Sequence, residues 1–142
     1  MTDPRLAYAF DGMNGEYATF AIDASTITYL ATAVGGAAAV GKAVKLSADN
    51  TVALSTDASD VLGKLIKVEA DGRCTVQVGG FMTLPGGNSA SLTLGKKIVG
   101  AVDAQSAGGF IREVNTGAAA ELGVAQGAII DNDTTTAVVV RL

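Results

Sequence analysis

The sequence predicts an all-β fold: a small β-barrel or sandwich of short antiparallel strands, with an extended N-terminal arm and at most one or two short helices. Three observations predict it. Apolar and polar residues alternate over short runs such as Cys74-Thr75-Val76-Gln77-Val78, and period two is the signature of a strand with one face buried. Turn formers bound these runs at roughly 8–12-residue spacing, the rhythm of barrels and sandwiches. Finally, 18 glycines stand against two prolines, which supplies tight bends with few rings that break ladders. The 142 residues are expected to form one β domain over 18–142 behind an arm of residues 1–17.

Taken in order, the arm reads DPRLAYAFDGMNGEY after Met1-Thr2 and has no overall period. Its aromatics Tyr8, Phe10 and Tyr17 lie among the turn formers Asp11-Gly12 and Asn14-Gly15. Aromatic rings are costly to leave in water, so the arm is expected to dock. From residue 18 the pattern becomes β. Thr19, Phe20 and Ile22 lead into Asp23-Ala24-Ser25, and the β-branched and aromatic residues 26–32 (TITYLAT) predict a further strand. The small residues VGGAAA at 34–39 make a connector, helix or loop.

Two hairpins follow. In AVKLSADNTVALS (43–55), Val44 and Leu46 alternate with Lys45 and Ser47, Asp49-Asn50 turns the chain, and Val52 and Leu54 alternate on the return. In VLGKLIKVEADGRCTVQV (61–78), Ile66 and Val68 are expected on one face and Lys67 and Glu69 on the other. Asp71-Gly72 makes the turn, and Cys74, Val76 and Val78 return. Gly79-Gly80 then interrupts a committed strand, which predicts a bend as at a barrel corner, with Phe81 and Leu84 in the core beyond it. Residues 92–102 give another strand or pair, and 110–114 (FIREV) a short one. Residues 118–122 (AAAEL) favour one or two helical turns. Residues 129–130 and 137–142 form a last hairpin across 131–136.

Composition excludes several kinds of chemistry. There is no histidine, hence neither the commonest general acid/base nor the commonest neutral metal ligand. The one cysteine, Cys74, permits no internal disulfide and no thiolate cage; alternating with Val76 and Val78, it reads as a buried small hydrophobe. Net charge is −4 with no basic cluster longer than Lys96-Lys97, so nucleic acid is not an expected partner. No apolar run reaches the roughly 18 residues of a membrane span, and no apolar secretory segment follows Met1-Thr2-Asp3-Pro4-Arg5. Neither a membrane nor a cofactor is expected.

Motif matches are weak. GAAAVGKA (36–43) has the spacing of a phosphate-binding loop. Ala43, however, stands where a magnesium-ligating Ser/Thr belongs, and a strand rather than a helix is expected to follow. Asp131-Asn132-Asp133 opens like a calcium loop but has Thr136 and Leu142 at the sixth and twelfth positions in place of Gly and Glu. Asn132-Asp133-Thr134 is a formal glycosylation sequon. Asp57 with Asp60, or Glu69 with Asp71, are candidate carboxylate pairs, but turn-rich polar surroundings point to solvated surface acids. A nucleophilic serine would need a lysine as its base.

The runs VGKAVKLSADNTVALS, VLGKLIKVEADGRCTVQVGGFMTLPGG, LTLGKKIVG and GAIIDNDTTTAVVVRL closely resemble the head decoration, or cement, proteins of tailed bacteriophages. The likeness covers most of 18–142, the arm contributing least. The resemblance implies a β-barrel or β-tulip-like fold and no enzymatic activity. It also implies a homotrimer on the outer surface of the virion, made in the host bacterial cytoplasm, that clamps neighbouring major capsid protein subunits. It does not say which residues touch the coat. From the aromatic content of the arm, Pro4, Arg5, Tyr8, Phe10 and Tyr17 are the expected binding residues, docking on the coat lattice or a neighbouring protomer by adding a strand to an exposed edge. Packing of the arm on its own barrel is the plainer alternative. Two other functions compete: a β-sandwich carbohydrate- or receptor-binding module of a phage fibre or cell surface, disfavoured by the absence of Trp, and an enzyme using Ser and Lys.

Overall fold

The computed structural model describes residues 14–142. Among them are ten strands: β1 (Glu16–Ile22), β2 (Ala43–Ala48), β3 (Thr51–Leu54), β4 (Gly63–Val68), β5 (Arg73–Gly79), β6 (Phe81–Leu84), β7 (Ile98–Ala101), β8 (Phe110–Glu113), β9 (Ala128–Asp131) and β10 (Val138–Arg141). One short helix, α1 (Ala119–Val124), and a 3₁₀ turn at Val34–Gly36 complete the described elements. The fold is all-β, as the alternation requires. Strands β1-β3-β2-β4-β5 close into a barrel, β6-β10-β9 form a second sheet, and β7-β8 a two-stranded ribbon. The ladders are antiparallel except one: β1 runs parallel to β3, matching Ala21 with Thr51 and Ile22 with Val52. A parallel neighbour needs a long crossover, and residues 23–50, β2 among them, supply it.

Those crossover residues correct the strand expected over 26–32. The Asp23 carboxylate accepts from Ser25 N at 3.0 Å and Ser25 Oγ at 2.6 Å, a local bond that turns the chain before a ladder can form. Of that stretch Ile27 alone is fully buried, in the barrel core.

Both expected hairpins form, and each carries a bulge. In β4 the register slips between Leu65 and Lys67; the bulge takes up Ile66, so Leu65 and Val68 fill the core and Ile66 is half-buried. In β2 the slip lies between Leu46 and Ala48, beyond the unbroken pairs Val44–Leu54 and Leu46–Val52; Leu46 keeps the phase of Val44 yet is 48% exposed near the strand end. Cys74 and Val76 are buried as expected.

After β5 the chain bends. Gly80 has φ 88°, a left-handed value that glycine takes without steric cost, and β6 leaves the barrel for the second sheet. The buried residues beyond the bend are Met82 and Leu84, with Phe81 half-buried, because residues one apart in a strand face opposite ways. Gln77, buried, donates from Nε2 to Gly79 O at 3.2 Å and Phe81 O at 3.0 Å, pinning both arms of the bend.

Two cores result. The barrel core holds Val44, Val52, Leu65, Val68, Cys74 and Val76; the second holds Met82, Leu84, Ile98, Ile111, Ile129, Val138 and Val140. Ala43 belongs to the second core and Val44 to the first, so neighbouring residues of β2 face opposite cores and join the halves.

Candidate functional site

The expected binding residues divide. Pro4, Arg5, Tyr8 and Phe10 lie outside the described residues. Tyr17, expected in the arm, is instead the second residue of β1, opposite Gln77 of β5, and 56% exposed. It is one of several large apolar side chains that the barrel half leaves in water. Tyr29, Leu30 and Val34 cluster in sequence on the crossover, and Val34 is 92% exposed. The backbone holds that stretch in place: Leu30 N donates to Gly36 O at 2.8 Å, Ala33 N to Leu30 O at 3.0 Å, and Gly36 N to Ala33 O at 3.1 Å. A Cβ on Gly36 would lie 2.0 Å from Val68 O, so this glycine serves close packing on β4, and the strand β2 that follows its phosphate-loop-like run excludes a helix-borne phosphate cradle.

The second half presents a polar groove of about 460 Å³ between residues 88–91 and 112–116. At its floor β8 buries Ile111 and turns Arg112 the other way. Arg112 Nε donates to Asp57 Oδ1 at 3.0 Å, and its two terminal nitrogens donate to Glu121 Oε2 at 3.0 Å and Oε1 at 2.7 Å. Glu121, in the first turn of α1, also accepts from Asn115 N at 2.8 Å. Two-pronged guanidinium–carboxylate bonding is geometrically selective. The Arg112 bonds, then the Asn115 amide, hold the Glu121 carboxyl down at about 2, and Glu121 in turn holds the Arg112 guanidinium above its ordinary range. Glu113 Oε2 accepts from Thr93 N at 2.8 Å, which lowers its pKa. The charged groups of the groove are thus committed to one another and to backbone.

Three of the four acids considered as pairs bond to other groups. Asp57 pairs with Arg112, Glu69 with Lys67 at 2.9 Å, and Asp71 Oδ1 accepts from Arg73 N at 3.1 Å. The Asp131 carboxylate accepts from Asp133 N at 2.9 Å, as in a turn. Burial raises the Cys74 pKa, keeping the thiol protonated. Lys45 Nζ donates to Thr56 Oγ1 at 3.1 Å on the open surface, the nearest approach to a lysine–hydroxyl pair given by these contacts. Among the described residues no group of three metal-ligating side chains gathers, and no helix is long and apolar enough to cross a membrane.

Arg112 and Glu121 escaped the sequence reading. An alternating FIREV run and an AAAEL helix each signal an element, but nothing local says that their charges meet. The chain matches no family model, no curated protein and no solved structure.

Proposed function

We propose that this chain is a structural virion protein that decorates and stabilises the outer surface of a tailed-phage capsid. It acts as a homotrimer made in the bacterial cytoplasm, clamping adjacent major capsid protein subunits and catalysing no reaction. The observation that carries this is the braced apolar surface of the barrel: Tyr29, Leu30 and Val34 exposed on a hydrogen-bonded crossover, with Tyr17 exposed on β1. Apolar side chains displayed in water on a hydrogen-bonded backbone favour a protein surface as partner. The resemblance of most of 18–142 to phage decoration proteins suggests coat protein as that partner.

The physics of clamping is mass action. A ligand that binds only the mature shell stabilises it by roughly 3–4 kcal/mol per site at 100–1,000 times its dissociation constant. Three copies in a closed trimer multiply a weak contact. The test is particle survival. Particles lacking the protein should lose their shells at lower temperature and milder osmotic shock than complete ones, and adding the purified protein should restore them. Equal survival refutes the proposal.

A second reading, a carbohydrate- or receptor-binding module, draws on the polar groove beside Arg112. Reproducible binding to a defined glycan, lost on substitution at Asn88 or Asn115 in the groove wall, would favour it over capsid decoration.

A further inference from the structure

Strand β1 is paired on one side along only part of its length. Ala21 N donates to Asn50 O at 2.8 Å and Asp23 N to Val52 O at 2.8 Å, toward β3, whereas Ile22 N donates to Gly72 O at 3.0 Å on the β5 side. Backbone groups alternate sides along a strand, and the β1–β5 register runs without a slip from Tyr17 to Ala21. Tyr17 and Thr19 therefore direct their N–H and C=O groups the same way as Ala21. Yet β3 begins at Thr51, opposite Ala21, and the chain before it turns back through Asp49-Asn50 into β2. Among the described residues nothing pairs with that side of Tyr17 and Thr19, and both side chains are exposed.

The second half shows the contrast. There the outer edges are bonded by neighbouring chain: Ile129 of β9 by Gly95 and Lys96, Ile98 of β7 by Gln126, and Ile111 and Glu113 of β8 by Pro85 and Ser91. Among the described residues the β1 edge stays open over roughly four residues, about 13 Å at the rise of a strand, and such an edge accepts an added strand.

We infer that its occupant is residues 6–10 of a second copy of this chain. Leu6, Ala7, Tyr8, Ala9 and Phe10 form a short continuous apolar run, which is compatible with a strand covered on both faces. Residues 1–13 lie outside the described chain and end where β1 begins, with a reach of about 40 Å when extended. The tightest route back onto their own β1 is a two-residue turn at Asn14-Gly15, which needs positive φ at both positions. Asn14 has φ 55°, but Gly15 is not in the left-handed region. The Tyr17 ring lies against this corner: a Cβ on Gly15 would lie 2.8 Å from its hydroxyl. Passing each arm to the next copy gives a head-to-tail interface that closes into a ring. The inference does not rest on capsid binding, since the purified chain alone contains both surfaces.

The test is disulfide trapping in the full-length protein, where native Cys74 is buried. Chains carrying Tyr8→Cys, Ala9→Cys or Phe10→Cys are each mixed with chains carrying Thr19→Cys and mildly oxidised. A reducible species of two-chain mass from at least one mixture is expected. Doubly substituted chains that close internally while the mixtures stay unlinked would overturn the inference, as would folded variants that never link. Thr19→Pro removes only the outward N–H, which an edge strand tolerates. Its self-association, by light scattering, should weaken at least tenfold, and a folded variant associating as the parent does would also overturn the inference.

Discussion

The barrel half and the second half are built from similar strands and held by different means. The barrel is made of neighbours in sequence: β2-β3 and β4-β5 are hairpins, and its core is Val, Leu, Ala, Ile and one Cys. The second half brings together β6 and β10 from distant parts of the chain, and braces its ribbon with the Arg112 ion pairs and a groove of committed polar groups. The barrel displays Tyr17, Tyr29, Leu30 and Val34 to water. The second half exposes Leu94, Leu122 and Val124, so the comparison teaches how the two cores are built, from sequence neighbours in one and from distant segments in the other, while both leave apolar surface in water.

The largest effects come from cutting each core in turn. Leu65→Ala in the barrel and Ile98→Ala in the second core, both fully buried, should each cost about 2–5 kcal/mol. Because Ala43 and Val44 tie one strand to both cores, thermal melts of either variant should keep a single transition. Two separated transitions would show that the halves are independent units.

Next comes the joint between them. Gln77→Ala should cost about 1–3 kcal/mol, since it leaves the Gly79 and Phe81 carbonyls without that donor. Denaturant titration should show the loss, and an unchanged midpoint would mean that Gly80 alone sets the bend.

The charge node should be weaker, and dependent on pH. Folding lowers the Glu121 pKa from 4.5 to about 2. Its stabilisation is therefore full above 4.5, fades as pH falls through that window, and is gone below about 2. Glu121→Gln should cost about 1 kcal/mol at neutral pH, a value reduced by solvent screening of the partly open pair. The gap from the parent should close in acid. A pH-independent gap would assign the effect to packing rather than charge.

The smallest effect on stability should come from the exposed crossover. Leu30→Ser with Val34→Ser should change stability by no more than about 0.5 kcal/mol per site, checked by the same melts, while weakening attachment to a partner.

How much was legible follows the same division. Alternation around Asp49-Asn50 and Asp71-Gly72 located both barrel hairpins, and Gly79-Gly80 marked the bend, because period and turn chemistry are local. The phase of Ile66 was not legible, since a bulge is set between two strands and leaves no mark in one of them, and the exposure of Leu46 depends on where β2 leaves the core rather than on its phase. TITYLAT had the composition of a strand, but the Asp23–Ser25 turn and the crossover to a parallel neighbour overrode it. Beyond the bend Leu84 lies in the core as its sequence suggests, but Met82 rather than Phe81 joins it, since residues two apart share a face. Arg112, Asp57 and Glu121 meet only after three segments have folded together, and Tyr17 joins β1 although its aromatic neighbours in sequence suggested an arm.

The most direct measurement of the central claim is sedimentation of purified coat-protein shells with the parent protein and with the folded Leu30→Ser/Val34→Ser variant. The parent should pellet with the shells in a fixed, saturable ratio and the variant should fall away by at least tenfold. A parent protein that stays in the supernatant at every shell concentration would contradict the claim.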